Sequence, residues 1–336
     1  MVSASLTSLA VTLAVTLGYL VIVRLVDVNE REPAWSLALV FSLGGAAATV
    51  LSVTVSPVVL TLDVWRSAAL RESALWLSLG AAFWIFAEIA QLRGWSEVTD
   101  VVDGLVYGVA GGLGFSGGDA IASLAPASSL TLVAEDAWSV AWRTALAGLA
   151  QGVYGAVLGA GFGLAVTRST RARWLWPIAG LVVAVALQGA HDGLAYGNAL
   201  GGESAMWRSH VALGLPLLAL SALGACGLSA ERRAIAAELS HGRRDGDVTS
   251  DELSLLAHVW RRQRRYVGLL VTGQVARLRA TAGLHNRQVM LAVALRRLSR
   301  ATHDVDRQRA THEVDALRRA IRSMRAHGGA AAESTR

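Results

Sequence analysis

Long apolar stretches separated by short polar segments fill the first two thirds of the chain. A helix that spans a bilayer needs about 20 mostly apolar residues, and seven stretches meet that requirement. The predicted spans are residues 5–25, 36–56, 74–92, 104–124, 146–166, 174–196 and 209–229. The pattern therefore predicts an all-α fold, a polytopic membrane helix bundle of about seven transmembrane helices.

Beyond residue 229 the pattern changes to polar, amphipathic helical segments that are rich in arginine. Further helices are predicted at 228–240, 286–300 and 304–326. Between the first two of these, Thr249 and Glu252 have the spacing of a capping box at the start of another helix. Two domains follow: a membrane-embedded domain at 1–229 and a basic helical tail at 230–336.

Charge is divided unevenly between the two parts and predicts an orientation. Residues 1–229 contain 10 Arg and 14 acidic residues, residues 230–336 contain 21 Arg and 11 acidic residues, and Lys is absent. Short loops rich in Arg stay in the cytoplasm, and two such segments hold Arg168, Arg171, Arg173, Arg232 and Arg233. We expect a multi-pass protein of the cell membrane with a cytoplasmic tail, although Arg66 and Arg71 favour the opposite orientation.

The basic tail suggests a lipid partner. Arginines near a cytoplasmic leaflet attract anionic lipid at about 1 kcal/mol each. The alternative is a solvated helical hairpin without a lipid contact. No nucleic-acid-binding motif is present, so nucleic acid is not an expected partner.

Glycines recur at four-residue spacing in two of the predicted spans. One series is Gly104, Gly108 and Gly112, and the other is Gly155, Gly159 and Gly163. Such faces let helix backbones approach closely in a membrane. The two series predict a compact bundle.

Five polar side chains interrupt the apolar stretches. They are Glu88, Asp119, Gln151, Gln188 and Asp192. A charged group at the bilayer centre costs about 2.5–3.5 kcal/mol on insertion scales, so such residues are functional candidates. Residues three or four apart share a helix face, and we expect the five to converge on one interior site.

Each candidate also has a structural explanation. Gln151 and Gln188 could form hydrogen bonds between helices, and Asp119 could be a carboxylate satisfied near a helix end. Only His191 and His210 occur in the membrane part. That number is too small for a zinc site built from several histidines inside the bilayer.

Two segments resemble a known family. Asp27-Val28-Asn29-Glu30-Arg31-Glu32-Pro33 follows the first span, and Asp103-Gly104-Leu105-Val106-Tyr107-Gly108 continues into Gly112-Leu113-Gly114-Phe115. In these segments the chain resembles the PrsW family of intramembrane proteases, which is related to the CAAX prenyl endopeptidases.

The resemblance implies catalytic motifs EExxK, FxxxE and HxxxD, with a further His between the last two. On this chain the paired glutamates fall on Ala87 and Glu88, and the lysine falls on Gln91. The glutamate after Phe115 becomes Asp119 and the intervening histidine becomes Gln151. In the last motif Gln188 replaces the histidine and Asp192 is kept.

The family implies hydrolysis of a membrane-anchored protein substrate with a divalent metal. Here amide oxygens, which are weak metal ligands, replace the two imidazoles. Glu88 would then activate water, Asp119 and Asp192 would assist, and the glutamines would bind the substrate backbone or the oxyanion. The alternatives are a non-catalytic membrane scaffold of the same family and a small transporter with a carboxylate relay.

Overall fold

The computed structural model describes most of the chain, and every element in the described part is helical. The described residues are 10–11, 13–21, 23, 33–59, 63–93, 100–123, 137–167, 171–196, 211–242, 247–256, 258–300 and 304–333. They divide into two compact units at Gly227 and Leu228, beside the boundary drawn from the sequence after residue 229.

The first unit contains the long apolar helices. After a helical stretch within residues 10–23, they are α1 Ala34–Val59, α2 Val64–Arg93, α3 Val101–Ser123, α4 Ala137–Thr167, α5 Leu175–Tyr196 and the first part of α6 Gly214–Gly242. A short 3-10 turn, Arg171–Trp174, precedes α5.

Four of the described helices are long and apolar enough to cross a membrane. The candidate spans are Ala34–Thr54, Ala145–Thr167, Ala172–Leu194 and Gly214–Ser240. The predicted spans 74–92 and 104–124 lie in α2 and α3, which are helical but are not among these four. The first predicted span, 5–25, lies partly outside the described residues, so the number seven is not confirmed.

Helix α3 packs against α1 and α4 through glycine faces, and the face against α4 is formed by the two glycine series that the sequence analysis singled out. A Cβ atom at Gly108 would overlap the carbonyl oxygen of Gly155, and one at Gly104 would overlap that of Gly159. On the other side of α3, a Cβ atom at Gly114 would overlap the carbonyl oxygen of Phe41. Only glycine permits this approach of two backbones, so α3 is fixed in the middle of the first unit.

The start of α3 has a structural role. Asp100 caps the helix, because its Oδ1 accepts hydrogen bonds from the backbone N–H groups of Val102 (2.7 Å) and Asp103 (3.2 Å). One turn further on, Tyr107 is fully buried and its hydroxyl lies 3.1 Å from the Ser36 Oγ of α1. The Asp103–Phe115 segment therefore builds the packing around α3.

The second unit is a separate helical domain. Its helices are the end of α6, then α7 Ser250–Leu256, α8 Val259–Val271, α9 Val275–Arg300 and α10 Asp304–Glu333. One apolar core joins α6, α7 and α9, and another joins α9 and α10. These cores give the basic tail a defined fold.

The predicted capping box at the start of α7 is confirmed. The Thr249 N–H donates to Glu252 Oε2 (2.8 Å), and the Glu252 N–H donates to Thr249 Oγ1 (3.2 Å). Glu252 also accepts a hydrogen bond from Gln288 Nε2 of α9 at 3.0 Å and pairs with Arg325 of α10. This one carboxylate therefore ties α7 to two longer helices.

Candidate functional site

A buried carboxyl group lies on α2, just outside the predicted span 74–92. Glu72 is 1% exposed, on the same buried face as Ala68 and Leu75. Neither of its oxygens has a hydrogen-bond partner among the described residues. Because burying an unsatisfied carboxyl group is costly, Glu72 is a strong candidate for a functional residue.

Helix α5 brings a second carboxyl group to Glu72. Asp192 is close enough to Glu72 to interact with it electrostatically. The Nδ1 atom of His191 lies 3.4 Å from Asp192 Oδ1, and both side chains are largely buried. One turn earlier, Gln188 is 1% exposed, and its Oε1 has no hydrogen-bond partner in the described part of the chain.

Helix α4 supplies a hydroxyl and another amide. Tyr154 is 1% exposed and packs edge-on to His191, with 6.3 Å between the ring centroids. Its hydroxyl has no hydrogen-bond partner among the residues described, and it lies in electrostatic range of Glu72 and Asp192. Gln151 precedes Tyr154 by three residues and thus shares its face, and its buried Oε1 is also unsatisfied within the described residues.

These residues define the Glu72–Asp192 cluster: Glu72, Tyr154, His191 and Asp192, flanked by Gln151 and Gln188. The packing of three helices holds it together. The ring of Trp65, on α2, covers Gly189 of α5 so closely that a Cβ atom there would overlap it. On the α4 side, the ring of Trp76 lies 6.2 Å from that of Phe162.

The expectation that Glu88 belongs to the interior site requires correction. Glu88 is exposed. It lies 16 residues beyond Glu72 on the same helix, which corresponds to about 24 Å along the axis. The apolar neighbours of Glu88 in sequence indicated burial, but they reflect a helix that is apolar on several faces.

Asp119 is also exposed and does not share the interior site. Its Oδ1 accepts a hydrogen bond of 2.7 Å from Ser52 Oγ of α1. It lies in the last turns of α3, where a side chain can reach the surface of the bundle. The structural explanation considered for Asp119, a carboxylate satisfied near a helix end, matches this geometry.

Of the five predicted side chains, the structure places Asp192 in the cluster, and Gln188 and Gln151 lie one helical turn from Asp192 and Tyr154 on α5 and α4. Sequence reasoning missed Glu72 and Tyr154. The signal for Glu72 was the spacing of Ala68, Leu75 and Leu79 around it, which puts it on an apolar helical face. It was missed because the predicted span started at residue 74.

A chain whose described elements are all helical, with apolar helices long enough to cross a bilayer and buried carboxyl groups between them, is a helical membrane protein. Residues 32–221, more than half of the chain, match the family model of PrsW family intramembrane metalloproteases. The chain belongs to that family. No curated protein and no solved structure matches it significantly.

The donors among the described residues do not fit the metal that the family description implies. Among the described residues, no group of three His, Cys, Asp or Glu side chains could hold a metal ion. Near the cluster the donors are two carboxyl groups and one imidazole, whose Nδ1 faces Asp192. Gln151 and Gln188 offer neutral amides at the positions where the sequence resemblance implies histidines, and amides bind zinc-like metals weakly.

Proposed function

We propose that the chain hydrolyses a membrane-anchored protein at the Glu72–Asp192 cluster, with the two carboxyl groups acting as general acid and base. The observation that carries this proposal is the buried Glu72 carboxyl group beside Asp192, with no hydrogen-bond partner among the described residues. Structural carboxyl groups in interiors are normally satisfied. A substrate and its attacking water would supply the partners that Glu72 lacks.

The interaction of Glu72 with Asp192, and not the local sequence, supports Glu72 as the motif glutamate in place of Glu88. Arg71 and Glu72 stand at the paired positions, and Leu75 stands at the lysine position. This placement puts the motif glutamate next to Asp192, the aspartate that the last motif keeps. Placing the motif at Glu88 would put the motif glutamate about four and a half helical turns of α2 away from Glu72, the position that interacts with Asp192.

The chemistry is an ordinary acid–base hydrolysis. The ionised carboxylate of the pair takes a proton from water as the water oxygen bonds to the substrate carbonyl carbon. The protonated partner then donates its proton to the amide nitrogen as the C–N bond breaks. The Tyr154 hydroxyl and the amide groups of Gln151 and Gln188 are donors that can stabilise the oxyanion in a site that excludes water.

A non-catalytic membrane scaffold of the same family is the second candidate. It is favoured by the glutamines at both motif histidine positions and by the lack of a three-ligand metal group in the described part of the chain. In that case the unsatisfied amides and carboxyl groups would bind the backbone of a partner segment without cleaving it.

Reconstituted full-length protein and a library of membrane-anchored substrates distinguish the two candidates. The variants are Asp192→Asn and, as a matched control with the same change at an exposed carboxylate, Asp119→Asn. General acid–base groups contribute about 10²–10⁴-fold, so cleavage should fall by at least 100-fold in Asp192→Asn and stay within about twofold in Asp119→Asn.

Cross-linking of the same substrates gives the second readout. Capture of a substrate by the wild type without any cleavage would favour the scaffold. Equal cleavage by the wild type and Asp192→Asn would contradict the proposed catalytic pair.

We further propose a multi-pass arrangement in the cell membrane with the second unit in the cytoplasm. The support is the arginine-rich segment 168–173 between two candidate spans, and Arg232 and Arg233 in α6. A cysteine-accessibility assay at the second unit, in intact and permeabilised cells, tests the orientation. Labelling in intact cells would contradict it.

A further inference from the structure

The turn between α8 and α9 presents apolar side chains to the outside of the second unit. At the end of α8, Val267, Leu270 and Val271 are 56%, 58% and 80% exposed, and Val275 at the start of α9 is 41% exposed. In the same helix, Arg262 is 4% exposed. Helix α8 thus buries one arginine and exposes three aliphatic residues near its end.

A fixed turn holds this tip together. Gly273 has a positive φ of 70°, and its N–H donates to the Leu270 carbonyl at 3.0 Å. The N–H of Gln274 donates to the Leu269 carbonyl at 2.9 Å. These two bonds form a Schellman motif, and the Thr272 hydroxyl adds a bond of 2.9 Å to the Gly268 carbonyl. The four apolar side chains are therefore displayed by a rigid hairpin, which we name the α8–α9 tip.

The segment that carries the tip is rich in arginine and contains no acidic residue. Residues 253–303 contain ten Arg and no Asp or Glu. Arg264 and Arg265 on α8, and Arg277 and Arg279 on α9, are exposed. Arg264 lies seven residues before Val271, which places its Cα about 10 Å back along the helix axis. Arg277 lies only two residues after Val275, about 3 Å along the axis of α9. Aliphatic groups at the end of the hairpin, with cations within two turns of them, match the acyl chains and anionic headgroups of a bilayer surface.

The neighbouring parts of the chain favour lipid over nucleic acid as the partner. The phosphate backbone of a nucleic acid binds arginine but has no apolar surface for Val267, Leu270 and Val271. An anionic lipid surface binds both the arginines and the aliphatic side chains. The second unit is also tethered directly to α6, which contains the candidate span Gly214–Ser240. A tether of this kind keeps a bilayer at high effective concentration.

We propose that the α8–α9 tip docks on an anionic lipid leaflet, with Val267, Leu270 and Val271 inserted at the headgroup–acyl boundary and the flanking arginines paired with lipid anions. This docking is independent of the proposed hydrolysis. It would fix the second unit against the membrane surface and make its position depend on lipid charge and salt.

The lone cysteine of the chain, Cys226, makes a site-specific test practical. In a Cys226→Ser background, the full-length protein with Leu270→Cys carries an environment-sensitive fluorophore at the tip. The matched control is Ala316→Cys, an exposed position on α10. Both are reconstituted in phosphatidylcholine bilayers with and without 30% phosphatidylglycerol, with spin-labelled lipids as quenchers.

We expect a blue shift and lipid quenching at position 270 only in anionic bilayers, lost in 0.5 M salt, and neither at position 316. Substituting Arg264, Arg265, Arg277 and Arg279 by Gln should weaken the docking by about fivefold per arginine. Val271→Asp, which leaves all four arginines in place, should also weaken the docking.

Three results would overturn the proposal. One is a water-like signal at position 270 in every bilayer, and another is equal quenching in neutral and anionic bilayers. The third is a position-270 signal that responds to an added RNA oligomer and not to anionic lipid. Because salt and lipid composition are varied on one unchanged protein, a folding defect in a variant cannot produce the expected pattern.

Discussion

At the scale of single residues, His285 makes the second unit sensitive to acid. Burial, followed by the guanidinium groups of Arg262 and Arg265, lowers the pKa of His285 to about 4, with Glu252 acting in the opposite direction. The ordinary value is about 6.5. Between these values the unfolded chain binds a proton that the folded chain does not, so stability is full above pH 6.5 and declines as the pH falls toward 4.

Hydrogen exchange of the α8 and α9 amides in the full-length protein tests this dependence. After correction for intrinsic exchange, protection should fall by up to about tenfold per pH unit between pH 6.5 and 4.5. His285→Asn should flatten that slope, and His312→Asn, an exposed histidine on α10, should leave it unchanged. An identical slope in all three proteins would contradict the assignment.

The pH dependence that Glu252 gives to stability has the same sign as that of His285 but lies at lower pH. Burial raises the pKa of Glu252, but the Thr249 backbone N–H, Arg325, Gln288 and the Thr249 hydroxyl together lower it below the ordinary value. Its contribution to stability is therefore present above the ordinary carboxyl pKa and is lost as the pH falls through the folded value.

Replacing Glu252 by Gln keeps the shape but removes the charge. We expect a loss of about 1 kcal/mol at pH 7, since the pair with Arg325 is partly exposed. The control is Glu313→Gln, whose pair with Arg297 spans 3.7 Å at the surface and should contribute close to nothing. Protection of the α7 and α10 amides from hydrogen exchange is the measurement. Equal losses of stability in the two variants would show that Glu252 contributes no more than a surface ion pair.

At the scale of elements, the contact between α3 and α4 is the part of the fold that tolerates least change. Gly108→Ala would place a Cβ atom on the Gly155 carbonyl oxygen, so the two helices must separate. Overpacking of this kind costs about 1–3 kcal/mol. Gly80→Ala on α2 meets only Phe162 at 4.0 Å and should be neutral or slightly stabilising.

Thermal stability of the detergent-solubilised protein, followed by loss of the monodisperse peak, measures both glycine variants. A lower midpoint for Gly108→Ala with an unchanged or higher midpoint for Gly80→Ala is the expected pair of results. Equal midpoints would mean that α3 and α4 can shift apart freely.

The helical elements could be predicted well where local chemistry determines them. The glycine series at 104–112 and 155–163 packs as its spacing indicated, and Thr249 and Glu252 form the capping box that their spacing indicated. Both patterns act through the backbone, at distances of one helical turn. Residue spacing alone is therefore sufficient to predict contacts of these two kinds.

The candidate site could be predicted only in part, because hydropathy reports how apolar a segment is and not which way a side chain faces. Glu88 lies among apolar residues and is exposed, while Glu72 lies near charged Arg66 and Arg71 and is buried. Helix α2 begins at Val64, ten residues before the predicted span, and so carries Glu72 into the packed interior. Only the packing of α2 against α5 distinguishes the two glutamates.

At the scale of the whole molecule, the two units have different chemistry within one chain. The first unit buries carboxyl groups among apolar helices, and the second combines a salt-bridged helical core with an acid-free arginine segment. We therefore propose hydrolysis or substrate binding for the first unit and lipid docking for the second. The two assignments can fail separately, since one depends on Glu72 and Asp192 and the other on the α8–α9 tip.

The most direct test of the central claim compares Glu72→Gln with Glu88→Gln in the reconstituted full-length protein. Both variants make the same change on the same helix, about 24 Å apart, and both are assayed for cleavage and cross-linking of membrane-anchored substrates. We expect Glu72→Gln to reduce cleavage by at least 100-fold, or to weaken cross-linking if the wild type does not cleave. Glu88→Gln should match the wild type in both assays. Loss in Glu88→Gln with full function in Glu72→Gln would contradict the central claim.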